Sequence, residues 1–387
     1  MQLLKNNVCA PKGFKALGKS VGIKKSGKPD FAVIFSEVLA NASAVYTSNT
    51  IKGAPLLVTK KHLKNGKAQA IVINSGVANV CTGKKGIKDA EDIAKYVGNE
   101  FRINANDVIV ASTGLIGAYL PMDRIRKGIN GIKNELSINP DAAIAIMTTD
   151  TVEKEITIKV DNFTIGAIAK GSGMIHPNMA TMLCFITTDA TISSEKLLVF
   201  LKKSVNKSFN MISVDMDTST SDMTAILANG LSGKVNEEKF QNALDFVCME
   251  LAKKIAKDGE GATKLIEVEV KNALTKSDAE KIAKSIVSSN LVKCAIFGND
   301  PNWGRLMCAM GNSKANFQES LVDIYFGKEI IVKNGMAVNF DFKKVKNIMS
   351  KDVLKIIINA NEGKWQAIAY GCDMTYDYIK INAHYST

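Results

Sequence analysis

The chain has 387 residues, which is enough for two domains or for one large two-lobed domain with a sizeable hydrophobic core. Hydrophobic residues make up 46% and charged residues 23%, a composition typical of a folded globular protein that excludes a largely disordered chain. The net charge of +12 suits a nucleic acid, an acidic membrane or an acidic small molecule as partner, but the lysines are dispersed and no aromatic residues are interleaved with them. We therefore interpret the charge as a solvated basic surface.

The first half of the chain is rich in short, strand-like segments. Apolar and β-branched residues predict strands over FAVIF (31–35), SAVYT (43–47), PLLVT (55–59), AQAIVIN (68–74), DVIVAST (107–113), EITIKV (155–160) and FTIGAIA (163–169). Apolar residues at helical spacing predict helices over 87–101 and 122–136. The segment 170–180 contains two glycines and a proline, which predicts a loop.

Helices and strands also alternate in the second half. MLCFITT (182–188) is predicted to be a buried strand. Helices are predicted over 194–208, 239–257 and 276–290, and strands over 265–271, 291–297, 354–360 and the C-terminal 374–387. This mixture predicts a layered α/β or α+β fold. The sequence contains no internal repeat, and we place the main structural break in the loop 170–180.

The cysteines indicate a reduced protein without a metal centre. Their number, seven, is odd, and none are spaced CxxC, which argues against a disulfide framework or a zinc site. Four of them lie in apolar runs and are predicted to be reduced core residues: Cys184, Cys248, Cys294 and Cys308. Reduced thiols, the lack of a signal-peptide pattern and the lack of an apolar run of about 18 residues predict a cytoplasmic protein without a membrane span.

Two conventional site patterns are present but poorly placed. GFKALGKS (13–20) fits the phosphate-loop pattern, yet Pro11 precedes it and further glycines and a proline follow, so we predict a strand instead of a loop that opens a helix. The three histidines form no HExxH motif, and none is clearly placed as the base of a catalytic triad. His62 lies in the basic run KKHLK and is predicted to be exposed.

The most unusual segment is KGSGMIHPNMAT (170–181), which brings a small residue, Ala180, to a threonine that begins a buried strand. A threonine hydroxyl is a weak nucleophile at neutral pH. If the chain were cut before Thr181, the new α-amine could act as its base without a histidine. Such an amine has a pKa of roughly 7.7–8.0, which suits proton transfer near neutrality. Taken alone, the pattern still favours an ordinary threonine at the start of a strand.

A resemblance to a known family changes that balance. The segment 170–190 closely resembles the ornithine acetyltransferase family, whose members cut themselves between the alanine and threonine of an MAT triplet. Further segments match the family in its own order: NSGVANVCTG (74–83), ASTGLIG (111–117), MTTDT (147–151), SVDMDTSTSD (213–222), DGEGATK (258–264), FGNDPNWGR (297–305) and INAHYST (381–387). The matches span essentially the whole chain. Two departures are Val77, where the family commonly has asparagine, and Met216, where it commonly has glycine.

The resemblance implies roles for individual residues. Thr181 would be the nucleophile of both self-cleavage after Ala180 and acetyl transfer, and Thr113 and Gly114 would form the oxyanion hole through a hydroxyl and a backbone N–H. The implied substrate contacts are Thr148, Lys170, Thr181, Glu260, Asn382 and Thr387. A lysine can meet a substrate carboxylate and a glutamate can meet an ammonium, while the atom that each residue contacts stays open.

The resemblance also implies a fold and an activity. The fold would be an α/β/β/α sandwich similar to that of self-cleaving N-terminal nucleophile hydrolases, with an α chain of 1–180 and a β chain of 181–387. The activity would be ping-pong acetyl transfer from N2-acetyl-L-ornithine to L-glutamate through acetyl-Thr181 in L-arginine biosynthesis, with acetyl-CoA as a further donor in some members.

We expect a heterotetramer of two α and two β chains, no cofactor or metal, and no nucleic-acid or membrane partner. Two alternatives stay open: a self-cleaving hydrolase, whose relatives have serine at the nucleophile position, and a basic nucleic-acid-binding protein.

Overall fold

A computed structural model describes residues 1–5, 7–138, 140–176 and 182–384. Its strands are β1 (Gln2–Leu3), β2 (Phe14–Lys19), β3 (Phe31–Tyr46), β4 (Lys67–Val77), β5 (Val108–Leu115), β6 (Lys154–Val160), β7 (Phe163–Lys170), β8 (Leu183–Thr188), β9 (Ile212–Ser213), β10 (Met223–Ala228), β11 (Leu265–Ala273), β12 (Asp323–Phe326), β13 (Glu329–Lys333), β14 (Met336–Ala337), β15 (Val353–Asn359) and β16 (Trp365–Cys372). Its helices are α1 (Ala54–His62), α2 (Gly83–Phe101), α3 (Met122–Ile129), α4 (Ala142–Ala145), α5 (Ser194–Lys207), α6 (Glu237–Lys257), α7 (Lys276–Ser288), α8 (Asn290–Phe297), α9 (Trp303–Gly311), α10 (Phe342–Met349) and α11 (Tyr376–Ala383).

The strands form two sheets. Within the described residues, the larger sheet has nine strands in the order β1-β6-β7-β8-β10-β3-β4-β5, with β2 also paired to β3. The smaller sheet has seven, in the order β14-β13-β12-β15-β11-β16-β9. Neighbouring strands in the larger sheet are mostly antiparallel, but β4 runs parallel to β5 and β8 runs parallel to β10.

The larger sheet folds over on itself. In a flat sheet, the five strand spacings from β7 to β5 would amount to about 24 Å at about 4.8 Å each. Yet Lys170 Nζ on β7 lies 3.4 Å from Thr113 Oγ1 on β5. Apolar side chains of both halves, such as Ile168, Phe185 and Ile71, belong to one core cluster on the inner face.

Helices cover the two outer faces of this folded sheet. Residues of α1, α2 and α3 share a cluster with β3, β4 and β5, and residues of α5 and α6 share another with β6, β7, β8 and β10. The resulting order is helix, strand, strand, helix, so the predicted α/β/β/α sandwich is confirmed. The smaller sheet packs α7 to α10 on one face, while α6 contacts β11 and β16.

Most predicted elements coincide with observed ones, but three apolar runs predicted as strands are helices. PLLVT begins α1, with proline in its first turn. LVKCAIF lies in α8, which begins where the Ser289 side chain accepts a hydrogen bond from the N–H of Val292. The C-terminal segment contains α11, capped in the same way by Thr375. Short apolar runs do not distinguish helix from strand, and a capping side chain favours the helix in the two later cases, whereas α1 has no side-chain cap.

Other predicted boundaries also changed. The predicted strands 31–35 and 43–47 belong to a single strand, β3, except for residue 47, which lies just beyond its end. The helix predicted over 122–136 breaks near Gly131, whose φ is +82°. Residues 14–19 form β2, so the rejection of a phosphate loop is confirmed.

The predicted solvent exposure was wrong for one histidine and two cysteines. His62 is buried, with Nδ1 2.8 Å from the carbonyl oxygen of Val108, because the last turn of α1 packs on β5. Cys184 and Cys248 are buried as predicted, but Cys294 and Cys308 are exposed because their runs form α8 and α9, each of which has a solvent face. None of the helices in the described ranges has both the length and the apolar character that crossing a membrane requires.

Candidate active site

Six of the residues that the resemblance assigned to the site line a single cavity of about 290 Å³. They are Thr113, Gly114, Thr148, Lys170, Glu260 and Asn382. They come from distant parts of the chain, and the fold brings them together. The other three assigned residues, Ala180, Thr181 and Thr387, lie outside the described residues, and the roles of all nine stay predictions.

The candidate oxyanion hole lies at the end of β5. The parallel pairing with β4 places Gly76 beside Gly114. Gly114 has a φ of +122°, and a Cβ there would lie 2.3 Å from the carbonyl carbon of Gly76, so this position requires glycine for both its conformation and its lack of a side chain. Thr113 precedes it and is buried. A hydroxyl and a backbone N–H are thus adjacent at the cavity wall, as an oxyanion hole requires.

Lys170, the last residue of β7, is buried at the cavity wall and is not a surface lysine. Its charge acts on Asp150, which is also buried. Burial opposes the ionisation of Asp150, but the charges of Lys170 and Lys154 outweigh it and hold the pKa of Asp150 well below its usual range. Asp150 is therefore a carboxylate at neutral pH.

A buried ion-pair cluster supports this wall of the cavity. Lys154 is fully buried, and its Nζ lies 2.7 Å from Asp150 Oδ1 and 2.5 Å from Asp258 Oδ2. Asp150 also accepts hydrogen bonds from the backbone N–H groups of Gly171 at 2.6 Å and Thr148 at 3.0 Å. The cluster thus fixes the backbone of Thr148 and of the residue that follows Lys170.

The carboxylate side of the cavity is built around Glu260. Its Oε2 accepts a hydrogen bond from Asn382 Nδ2 at 2.7 Å, and its backbone N–H donates to the carbonyl of Ser172 at 3.0 Å. A Cβ on Gly173 would lie 2.3 Å from Glu260 Oε1, so a larger residue there would displace the Glu260 carboxylate from its present position. The Ser172 hydroxyl in turn donates to the carbonyl of Asp258 at 2.6 Å. The cavity wall therefore carries both an ammonium and a carboxylate, the charges that complement a free amino acid.

The segment 213–222 holds the backbone that leads towards the predicted cleavage position. Asp215 accepts hydrogen bonds from the N–H groups of Met174 at 2.6 Å and Ile175 at 2.9 Å, and Thr218 Oγ1 donates to the carbonyl of His176 at 2.8 Å. Met216 has a φ of +70°, in the left-handed region that favours glycine. Met216 therefore adopts the left-handed conformation that a glycine would adopt more easily at this position.

Several residues that support the site were not predicted from the sequence. Asp150 and Asp258 lie within the segments 147–151 and 258–264 that match the family, but no role was predicted for either residue. Lys24 is one of the lysines whose charge we interpreted as a solvated surface, and this was wrong for its ammonium group, which donates to the carbonyls of Pro29 and Met147, each at 2.8 Å. Burial lowers the pKa of Lys24 to about 8.

The profile of the ArgJ family matches residues 15–387. The chain belongs to the ArgJ family. The arginine biosynthesis bifunctional protein ArgJ of Caldanaerobacter subterraneus subsp. tengcongensis is 48% identical to it over 404 residues, with 100% of both proteins covered. The protein of the same name from Streptococcus mutans is 47% identical over 404 residues, again with 100% of both covered. The family resemblance inferred from the motifs is therefore confirmed.

An ArgJ crystal structure provides a further comparison. The arginine biosynthesis bifunctional protein ArgJ from Bacillus halodurans is 42% identical, with a TM-score of 0.50. The match covers 51% of this chain and 97% of that one, so the crystallised chain corresponds to about half of the present chain.

Proposed function

We propose that this ArgJ-family chain is an acyltransferase that moves acetyl from N2-acetyl-L-ornithine to L-glutamate through an acetyl ester on Thr181. The observation that carries the proposal is the cavity that combines Thr113 and Gly114 with the charges of Lys170 and Glu260. The name shared by the relatives supports a place in L-arginine biosynthesis. Acetyl-CoA is a second candidate donor, since the relatives are named bifunctional.

Self-cleavage comes first in this proposal. Thr181 Oγ attacks the carbonyl carbon of Ala180, the peptide C–N bond breaks, and the nitrogen becomes the α-amine of Thr181. Water then hydrolyses the resulting ester, which leaves an α chain of 1–180 and a β chain of 181–387. The half-length match to the Bacillus halodurans chain is what a family of two half-length chains would give.

Acetyl transfer then uses the same hydroxyl. The α-amine of Thr181 accepts the proton of the Thr181 hydroxyl as Oγ attacks the acetyl carbonyl carbon. The Thr113 hydroxyl and the Gly114 N–H donate hydrogen bonds to the oxyanion that forms. The amide C–N bond breaks, and ornithine leaves with the proton on its amine. The amine of L-glutamate attacks the ester, its proton returns to Thr181 Oγ, and N-acetyl-L-glutamate leaves.

Substrate recognition follows from the charges of the cavity. Lys170 binds a substrate carboxylate, and Glu260, oriented by Asn382, binds an ammonium. Thr148 adds a hydroxyl, and the C-terminal Thr387 completes the set. We further propose an α2β2 heterotetramer that works in the cytoplasm with no cofactor.

The decisive experiment compares the wild-type protein with Thr181→Ala. Intact mass under denaturing conditions should give two fragments for the wild type, the second beginning at Thr181, and one chain of 41.8 kDa for the variant. Only the wild type should exchange acetyl between ornithine and glutamate. A variant that still cleaves and still transfers acetyl would refute the proposal, as would peptide hydrolysis by the wild type that exceeds acetyl transfer.

A further inference from the structure

One buried carboxyl group next to the cavity lacks the hydrogen bonds that such groups normally make. Asp222 is 4% exposed, and among the described residues its Oδ2 has no hydrogen-bond partner. Other buried aspartates are well supplied: Asp30 accepts three backbone N–H groups, and Asp189 accepts two. A buried acceptor without a donor destabilises a fold by roughly 1–3 kcal/mol, so its presence calls for a functional explanation.

The position of Asp222 connects it to the acyl-transfer centre. It directly follows three cavity-lining residues, 219–221, and precedes Met223, whose N–H donates to the carbonyl of Met182 at 2.9 Å. Met182 is the first described residue after the proposed cleavage position. Asp222 is also close enough to Lys170 for that charge to act on it.

The chemistry of this carboxyl group favours an amine as its ligand. Burial raises the pKa of Asp222 well above its usual value, while the neighbouring Ser219 side chain and the charge of Lys170 oppose that rise. A cationic N–H donor that reaches Oδ2 would supply the missing hydrogen bond and favour the carboxylate. A primary amine is the one such donor that the proposed reaction provides, and it does so at every turnover.

We propose that the Asp222 carboxyl group binds a primary amine at the acyl-transfer centre. The inference rests on the proposed function, in which three amines qualify: the α-amine that cleavage frees on Thr181, the amine of the departing ornithine, and the amine of the incoming L-glutamate. Binding the first would support attack by Thr181 Oγ in the first half-reaction and departure of Oγ in the second. Binding the ornithine amine would assist only the first half-reaction, and binding the glutamate amine would position only the acceptor.

Single-turnover kinetics of Asp222→Asn show in which half-reaction the bound amine acts. One measurement follows release of ornithine from N2-acetyl-L-ornithine, and the other follows transfer from the acetyl-enzyme to L-glutamate, with rates given per cleaved chain as counted by intact mass. We expect at least a tenfold loss. Loss in the first half-reaction alone assigns the departing ornithine amine, loss in the second alone assigns the acceptor, and loss in both assigns the α-amine or an amine position that ornithine and L-glutamate share. Asp323→Asn, at a buried aspartate of β12 outside the cavity, is the matched control and should keep wild-type rates.

The melting temperature separates this role from a structural one. Because Asp222 Oδ2 makes no hydrogen bond to lose, Asp222→Asn should melt at or above the wild-type temperature while losing activity. If the variant does not fold, Ser219→Ala should slow the same half-reaction by a smaller factor. The inference would be overturned by wild-type rates or a clear drop in melting temperature in an Asp222→Asn variant that folds, or, if that variant does not fold, by wild-type rates in Ser219→Ala. A wild-type protein without acetyl transfer would instead refute the proposed function.

Discussion

The buried ion-pair cluster beside the cavity leads to a quantitative prediction for Lys154→Met. The substitution leaves Asp150 and Asp258 buried without the cation that lies 2.7 and 2.5 Å from them. Breaking a buried pair in this way costs about 3–5 kcal/mol, since the remaining charge has lost its solvent and its partner. Lys170 still acts on Asp150, so we expect the lower end of that range.

The assay is urea unfolding, followed by circular dichroism in a Thr181→Ala background that should keep the chain in one piece. Lys239→Met is the matched control. Lys239 pairs with Asp161 at 2.7 Å, but both side chains are more than half exposed, so the loss should be below about 1 kcal/mol. Adding Asp258→Asn to Lys154→Met removes one of the uncompensated charges and should restore part of the stability.

The reasoning would be refuted if Lys154→Met and Lys239→Met lowered the free energy of unfolding equally. The prediction would also be contradicted if Lys154→Met lowered the free energy of unfolding by the full amount and Asp258→Asn restored none of it. The loss would then come from the missing packing of the lysine side chain and not from the unpaired charges.

Three further predictions concern the cavity. Thr113→Val should lower kcat by roughly 10²–10³-fold while Thr113→Ser keeps most of it, because only the hydroxyl donates to the oxyanion; steady-state kinetics with equal KM values would check this. Lys170→Met should raise KM for the amino-acid substrates by roughly tenfold to a hundredfold, equivalent to a lost charged hydrogen bond of about 1.5–3 kcal/mol; an unchanged KM would remove Lys170 from substrate binding. The depressed pKa of Asp150 means that its contribution to stability is present above about pH 4, the unfolded value, and is lost as the pH falls through the native value. The urea midpoint should therefore fall on acidification, and less so in Asp150→Asn.

Long, strongly patterned elements were predictable from sequence. The helices α2, α5, α6 and α7 and the strands β4 to β8 follow directly from the spacing of their apolar residues. The errors fall on short runs, where the same residues satisfy either pattern. Ser289 and Thr375 could have corrected two of them, since each is a capping residue that lies just before the helix it begins.

The candidate site was predictable only through the family resemblance. No spacing along the chain relates Lys170 to Thr113, which is 57 residues away, or Lys154 to Asp258, which is 104 residues away. Their contacts depend on the folding over of the larger sheet, a tertiary property that no local pattern encodes. The orphan oxygen of Asp222 is a feature of the same kind, visible only when its surroundings are known.

The strand order explains how a chain cut between 180 and 181 could stay one protein. The β chain would supply β8 and β10, which lie between β7 and β3 of the α chain in the larger sheet. Its first strand pairs with β7 over six residues, from Leu183 opposite Lys170 to Thr188 opposite Ile165. Separating the chains would therefore break two strand pairings and open the shared core of both halves. We expect the two fragments to co-elute in native size-exclusion chromatography and to separate only in denaturant, and separation without denaturant would contradict this interleaved arrangement.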